Sequence, residues 1–297
     1  MIFEDVFING FRVRVFQLNG LKIGVALDFG PRILYLGLNN ESYNLFNIIP
    51  EVQLETPDGI WRIYGGHRLW TAPEDFPRTY TIDDKPVYID LLENRIIING
   101  NPDYRNNVLK KIQIEPGEKE YTLKITHEIT NIGRWPIEYA CWAISVMQPR
   151  GLTIIPLKPK RVDKYGLLPD RVIAIWPYTR LDDPRLVFRD KYIVVKHDPS
   201  IEKPFKIGAR ANPPLLAYWV DEFLFIKRIK VEDDKYPDYG VTVEVYANDK
   251  FLELETLGPL KIINPGESNK HVEEWEVKKL KGLRVDEEHI IEEVLVD

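Results

Sequence analysis

The segment VTVEVYANDKFLELET, residues 241–256, contains two short runs in which aliphatic side chains alternate with polar or aromatic ones. Alternation with a period of two places successive side chains on opposite faces of a β-strand. The segment therefore predicts a β-hairpin with valines and leucines on one face and Glu244, Glu253 and Glu255 on the other. A turn within residues 247–250 would pair Glu244 with Glu253 and Thr242 with Glu255.

Three carboxylates on one face of a hairpin need compensation, because like charges directly opposed destabilise a sheet. They can be solvated, be neutralised by Lys227, Arg228 or a metal ion such as calcium, or have one carboxyl group kept protonated by its neighbours. Tyr246 and Phe251 share this face. Rings beside carboxylates suit a sugar, whose C–H faces stack and whose hydroxyl groups need acceptors. A sugar-binding groove is the favoured interpretation, and a plain solvent-facing surface is the alternative.

Strand patterns also fill most of the remaining chain. Asn19-Gly20 lies between two of the runs and is a strong hairpin signal. Pro116-Gly117 and Pro265-Gly266 predict type II turns. Short strands separated by turns indicate an all-β sandwich or barrel, and no change of composition marks a linker, so we expect one domain over residues 1–297. The predicted strands are 12–18, 21–27, 32–38, 87–92, 95–99, 108–114, 121–129, 192–197, 215–220, 224–229, 241–246, 251–256 and 271–277.

Two segments depart from this pattern. Residues 51–85 contain prolines, tryptophans and Gly65-Gly66 and predict a long irregular loop with a functional role. Residues 286–295 predict a short C-terminal helix, in which Asp286 is the cap and an apolar stripe follows.

Composition narrows the function. The 297 residues carry a net charge of −6 and form no basic run, which argues against nucleic-acid binding. One cysteine excludes an intramolecular disulfide and a cysteine-based zinc cluster, and no nucleotide, metal or serine-hydrolase motif is found, so no cofactor or metal is expected.

No leader peptide or run of about 18 apolar residues occurs, so we expect a cytoplasmic protein with no membrane partner. Few methionines beside many ionic residues suggest a heat-adapted source.

His67 is the best histidine candidate for acid or base chemistry. It follows Gly65-Gly66, and glycines let a backbone approach a ligand closely. Histidine exchanges protons near neutral pH. Arg68 and Trp70 stand beside it.

Four motifs occur in order along the chain. They are Gly30-Pro31-Arg32-Ile33, the Gly-Gly-His-Arg-Leu-Trp run that ends at Trp70, the Glu253-Leu-Glu255-Thr strand, and Pro265-Gly266-Glu267-Ser268 before Trp275. Together they resemble the aldose 1-epimerase (galactose mutarotase) superfamily, most closely an uncharacterised, largely prokaryotic branch. The resemblance covers nearly the whole chain and implies a β-supersandwich of large antiparallel sheets with a concave sugar-binding face.

The resemblance also implies site residues. Glu255 would be the base on the anomeric hydroxyl group, with Glu253 as its rival, and His67 would be the acid. The chain departs from the family after Asn131-Ile-Gly133, where no mid-chain histidine follows. The expected function is an aldose 1-epimerase-like enzyme acting on a small sugar; the alternatives are a non-catalytic carbohydrate-binding protein or a glycan hydrolase or lyase. The residues expected to bind the sugar are Arg68, Trp70, Lys227, Tyr236, Asp238, Glu244 and Glu253.

Overall fold

A computed structural model of the protein describes residues 2–284. Apart from a 3₁₀ turn at Arg78–Tyr80 and a tight turn at Pro237–Gly240, its regular structure is β-strand. The strands are β1 (Ile2–Ile8), β2 (Phe11–Leu18), β3 (Leu21–Ala26), β4 (Arg32–Leu38), β5 (Gln53–Thr56), β6 (Gly59–Arg62), β7 (His67–Ala72), β8 (Tyr88–Leu92), β9 (Arg95–Asn99), β10 (Val108–Pro116), β11 (Thr122–Asn131), β12 (Ile137–Met147), β13 (Leu152–Pro156), β14 (Ile173–Ile175), β15 (Leu186–Phe188), β16 (Tyr192–Lys196), β17 (Phe205–Ala209), β18 (Leu215–Val220), β19 (Phe223–Ile229), β20 (Val243–Ala247), β21 (Leu252–Leu257), β22 (Lys261–Ile263) and β23 (Ser268–Lys279).

Two large antiparallel sheets form the body of the molecule. The first has the order β1-β2-β3-β4-β7-β12-β21-β20-β17-β14, with β22 paired to β12. The second has the order β15-β16-β13-β18-β19-β23-β11-β10-β9-β8. Their inner faces share one hydrophobic core, to which Val245 and Leu254 contribute from the first sheet and Ile112 and Val277 from the second. The predicted all-β architecture of large antiparallel sheets is confirmed.

The turns mostly follow their sequence signals. Asn19 and Gly20 have φ of 50° and 81° and join β2 to β3, as predicted. Gly266 has φ of 82°, as a type II turn requires, whereas Gly117 is not in the positive-φ region, so a type II turn there is a wrong prediction. The predicted C-terminal helix lies outside the described residues. Within residues 2–284, no helix is long and apolar enough to cross a membrane.

The predicted irregular loop at residues 51–85 is wrong in its central part. It contains β5, β6 and β7, and β7 lies in the middle of the first sheet between β4 and β12. All six residues of β7 are buried, so its sequence shows no alternation from which a strand could be predicted. Gly65 and Gly66 precede it with φ of 93° and 68° and lie too close to the Asn47 and Ile33 carbonyls for a side chain.

The hairpin of β20 and β21 has the predicted faces but a register displaced by two residues. Glu244 pairs with Glu255 and Tyr246 with Glu253. The cause is Asn248, whose side-chain oxygen accepts hydrogen bonds from the backbone N–H groups of Lys250 and Phe251 at 2.8 and 3.0 Å. This Asx-type turn places the reversal one residue later than expected.

Candidate functional site

The three hairpin carboxylates turn away from bulk solvent. Glu244, Glu253 and Glu255 are 0%, 7% and 1% exposed. Glu253 and Glu255 line a groove of about 360 Å³ on the outer face of the first sheet, and Glu244 lies beside Glu255. Two of the three carboxyl groups, those of Glu253 and Glu255, thus lie in one pocket, and Glu244 is enclosed beside them.

Neighbouring strands β7, β12, β21, β20 and β17 form the floor of this groove, and loops form its walls. Aromatic side chains dominate both, so a ligand would meet flat apolar surfaces on several sides. The lining residues are Val52, Trp61, Ile63, Arg68, Trp70, Glu74, Tyr80, Trp142, Ile144, Trp176, Tyr178, Pro204, Lys206, Tyr246, Phe251, Glu253 and Glu255.

Lys206 on β17 compensates the carboxylates. Its Nζ lies 2.8 Å from Oε2 of Glu244 and 2.9 Å from Oε2 of Glu255. It also lies 4.4 and 4.7 Å from the ring centroids of Trp142 and Trp176, a cation–π arrangement. Burial alone would lower the pKa of Lys206, but Glu244 and Glu255 raise it well above its usual range. Lys206 is thus a fixed cation between two aromatic faces.

Glu244 and Glu255 are held differently. Oε2 of Glu255 accepts hydrogen bonds from Nε1 of Trp142 at 2.8 Å and from Nζ of Lys206. Neither oxygen of Glu244 accepts a hydrogen bond of good geometry, although Nζ of Lys206 lies 2.8 Å from Oε2. Burial and the charge of Glu255 outweigh Lys206 and raise the pKa of Glu244 well above its usual range. A protonated Glu244 can donate a hydrogen bond, and Glu255, directly opposite it in the hairpin, is the neighbouring acceptor.

Arg68 and Glu253 form the second charged pair of the groove. Nη2 of Arg68 lies 2.9 Å from Oε1 of Glu253, and the guanidinium group stacks 4.3 Å from the centroid of Trp70. Burial raises the pKa of Glu253, although Arg68 opposes the shift. Nε and Nη1 of Arg68 are buried without a hydrogen-bond partner. Buried polar groups without a partner are uncommon in folded proteins.

His67 and Lys227 do not reach the groove. His67 opens β7 with its side chain on the inner face, 0% exposed, and its ring lies edge-on to Trp275 of the second sheet. Lys227 is also fully buried between the sheets, 3.2 Å from Oε1 of Glu273. The predicted polar loop position of His67 is wrong, because His67 is the first residue of β7 and pairs with Ile33 and Ser145. Neither His67 nor Lys227 is brought together with Glu255.

His67 instead begins a buried hydrogen-bond network between the sheets. Its Nε2 lies 2.7 Å from Nε2 of His127 and its Nδ1 lies 2.8 Å from Oγ of Ser145. Nδ1 of His127 faces the carbonyl oxygen of His271 at 3.2 Å and must donate to it. It follows that His67 donates to His127 and that Ser145 donates to His67.

The second part of the network surrounds Glu273. Thr256 donates to Oε1 of Glu273 at 2.5 Å and accepts from Nε2 of His271 at 2.7 Å, while Nε1 of Trp275 donates to Oε2. His67, His127 and Glu273 offer atoms within 4.8 Å of one another, a spacing that a metal ion could bridge. The 2.7 Å His67–His127 contact is, however, a hydrogen bond, and Lys227 already neutralises Glu273. The network is satisfied as it stands.

The remaining predicted residues lie at or near the groove. Trp70 and Arg68 line it. Asp238 lines an adjoining cavity of about 370 Å³ that shares Trp142, Trp176 and Lys206 with the groove. Tyr236 is buried, and its hydroxyl group accepts a hydrogen bond from the backbone N–H of Glu232.

Sequence reasoning missed the two residues that donate hydrogen bonds to Glu255. Lys206 lies on β17, a five-residue strand that was not predicted because Pro204 and Gly208 obscure its pattern. Trp142 lies on β12, the strand that follows Asn131-Ile-Gly133 and contains no histidine, and its indole N–H is directed at Glu255. Arg228, the other proposed neutralising group, pairs with Glu276 instead.

Comparisons with known proteins agree with the fold. No protein-family model matches the sequence, and no curated protein matches it. A galactose mutarotase-like protein from Lactobacillus casei superposes with a TM-score of 0.50 at 9% identity, covering 90% of this chain and 100% of that one. A galactose mutarotase related enzyme from Lactobacillus acidophilus gives 0.51 at 9% identity, covering 91% and 98%. A TPR-domain containing protein from Parabacteroides distasonis gives 0.59 at 14% identity, covering 94% of this chain and 50% of that one.

The chain therefore has the galactose mutarotase-like fold that its motifs indicated. At these identities the likeness shows the fold alone.

Proposed function

We propose that the groove binds a carbohydrate and interconverts its anomers. The observation that carries this proposal is the buried, partly unpartnered Arg68–Glu253 pair beside Glu255, enclosed by aromatic side chains. Aromatic faces suit the C–H faces of a pyranose, and the carboxyl groups of Glu253 and Glu255 suit its hydroxyl groups. A cavity of about 360 Å³ is within the usual size range of small-molecule sites.

The roles of the two glutamates follow from their surroundings. Glu255 accepts hydrogen bonds from two donors and is the base that takes the proton of the anomeric hydroxyl group. Glu253, whose pKa is raised by burial, is the acid that protonates the ring oxygen. The bond between C1 and the ring oxygen breaks as the C1 carbonyl forms. After rotation of C1 the ring closes on the other face, and both protons return.

This assignment replaces His67 with Glu253 as the acid. Proton transfer requires a titratable group within hydrogen-bond reach of the substrate. Glu253 lines the groove, whereas the ring of His67 is enclosed on the opposite side of the first sheet.

NMR exchange spectroscopy of glucose and galactose anomers tests the proposal. The protein should accelerate anomer exchange, and Glu255→Gln and Glu253→Gln should each reduce the rate by about 100-fold or more. Glu276→Gln is the matched control, since Glu276 lies on β23 and pairs with Arg228 away from the groove. If anomer exchange stays at the uncatalysed rate while tryptophan fluorescence shows that sugar binds, the groove binds sugar without catalysing the exchange.

Binding without catalysis is the second candidate function. It is favoured by β12, which follows Asn131-Ile-Gly133 without a histidine and instead supplies Trp142, whose indole N–H binds one oxygen of Glu255. Release of new reducing ends from an oligosaccharide would instead indicate a glycan hydrolase.

A further inference from the structure

The cavity of about 370 Å³ that adjoins the groove has a strongly acidic lining, which the proposed function does not use. Three carboxyl groups, those of Glu74, Asp75 and Asp238, face one cation, Lys206. The other four lining residues are aromatic, and the whole lining is Glu74, Asp75, Phe76, Tyr80, Trp142, Trp176, Lys206 and Asp238. Glu74, Tyr80, Trp142, Trp176 and Lys206 also line the groove, so one ligand can contact both spaces.

The cations of this region already have carboxyl partners. Nζ of Lys206 lies 2.8 and 2.9 Å from Oε2 of Glu244 and of Glu255, neither of which lines the adjoining cavity. Arg68, the cation at the other side of the groove, pairs with Glu253. Among the described residues, groove and cavity together are lined by five carboxyl groups and two cationic groups. The combined space therefore carries an excess of negative charge.

Two of the carboxyl groups have no lysine, arginine or histidine within ion-pair distance in the described part of the chain. Glu74 accepts a hydrogen bond from the hydroxyl group of Tyr80, and Asp238 lies half-exposed in the turn Pro237–Gly240. Asp75, by contrast, lies 3.5 Å from Nε of Arg78. Glu74 and Asp238 are therefore the groups whose charge a bound cation can balance.

The same walls already stabilise one ammonium group, that of Lys206. Its Nζ lies 4.4 and 4.7 Å from the centroids of two indole rings that line the cavity. Burial alone would lower its pKa, but Glu244, Glu255 and Glu74 raise it well above its usual range. Aromatic faces together with carboxylates thus favour a positive charge at this place.

We propose that the groove and the adjoining cavity select an amino sugar, whose protonated amine is received by Glu74 and Asp238. This inference rests on the proposed function, because the groove would hold the sugar ring. A protonated amine is attracted both by the carboxylates and by the aromatic faces. A phosphate or carboxylate group on the sugar would instead meet like charges. The acidic lining therefore favours a cationic sugar over neutral and anionic ones.

Calorimetric titration at pH 6.5 and low salt compares four ligands. Glucosamine carries the charge, N-acetylglucosamine carries a neutral substituent at the same carbon, and glucose and glucose 6-phosphate are the neutral and anionic references. Glucosamine should bind about tenfold more tightly than glucose and N-acetylglucosamine, and glucose 6-phosphate should bind most weakly. Added salt should reduce the preference for glucosamine, because salt screens exposed charges.

Two variants test the residues that receive the amine. Asp238→Asn and Glu74→Gln each remove one charge at nearly constant shape, and each should weaken glucosamine binding about fivefold while changing glucose binding much less. Asp233→Asn is the matched control, since Asp233 is exposed in the same connection between β19 and β20 and lines neither space. Equal weakening of glucose and glucosamine would mean that the carboxylates only accept hydroxyl groups, and the proposal would be wrong.

Failure of this inference can be distinguished from failure of the proposed function. If glucose and glucosamine bind equally and the anomers of both exchange faster, the proposed function stands and the selection for an amine is overturned. If none of the four ligands binds, both proposals are wrong. Calcium is titrated separately. If calcium binds, Asp238→Asn abolishes its binding and glucosamine shows no preference, the carboxylates serve a metal ion and the amino-sugar proposal is wrong.

Discussion

At the scale of single residues, the groove depends on how a buried carboxyl group carries its proton. Nζ of Lys206 lies 2.8 Å from Glu244, yet neither Glu244 oxygen accepts a hydrogen bond of good geometry. A carboxylate would need well-directed donors in a buried place, whereas a carboxylic acid can itself donate to Glu255. One net negative charge then remains on the Glu244–Glu255 pair, and Lys206 balances it.

Glu244→Gln tests this protonation state. Glutamine is neutral and keeps a donor, so we expect the free energy of unfolding to change by less than about 1 kcal/mol. If Glu244 were the ionised partner of Lys206, breaking the buried pair would cost about 3–5 kcal/mol. Urea unfolding at pH 7 distinguishes a protonated Glu244 from an ionised one. Glu244→Ala is the comparison, because it removes the side-chain contact with Glu255 as well as any charge.

At the scale of elements, the turn between β20 and β21 sets the register that brings Glu244 opposite Glu255. Asn248→Ala removes the acceptor of two backbone N–H groups, and we expect a loss of about 1–2 kcal/mol of unfolding free energy. Asn248→Asp keeps the acceptor and should retain most of the stability. Equal losses in urea unfolding would mean that the side chain does not hold the turn.

The same hairpin shows what the sequence could and could not predict. The period-two alternation identified both strands, their faces and the crowding of carboxylates, because these are local properties of the chain. The register depended on two hydrogen bonds to the side chain of Asn248, and the neutralising Lys206 came from β17, about 40 residues earlier. His67 was misplaced for a related reason: both faces of β7 are covered, so the segment carries no periodic signal.

At the scale of the whole molecule, the buried network between the sheets makes stability depend on pH. Burial lowers the pKa of His127 to about 4 and of His271 to about 3, and lowers that of His67 well below its usual range. Between about pH 6.5 and 4 the unfolded chain therefore binds protons that the folded chain does not. Its free energy of unfolding must fall as the pH falls through this window.

The expected slope is up to about 1.4 kcal/mol per pH unit for each such histidine. Urea unfolding between pH 7 and 4.5 measures this slope. His271→Gln removes one of the three histidines and should reduce the slope by up to about 1.4 kcal/mol per pH unit. Glu273 affects stability at lower pH. Burial alone would raise its pKa, but Lys227 and the histidines lower it to about 2. The stabilisation that Glu273 provides is therefore lost as the pH falls from 4.5 to 2. A flat profile from pH 6.5 to 5 would contradict the neutral, buried histidines.

The two sheets share one core, so the groove should not unfold separately from the rest of the chain. Ile112 lies on the second sheet and is fully buried in the core to which Leu254, next to both groove glutamates, also belongs. Ile112→Ala should cost about 2–5 kcal/mol. If residues 1–297 form one domain, far-UV circular dichroism and the fluorescence of the groove tryptophans should report the same shifted midpoint. Two separate transitions, with the groove signal unmoved by Ile112→Ala, would show instead that the sheets are independent folding units and that the one-domain prediction is wrong.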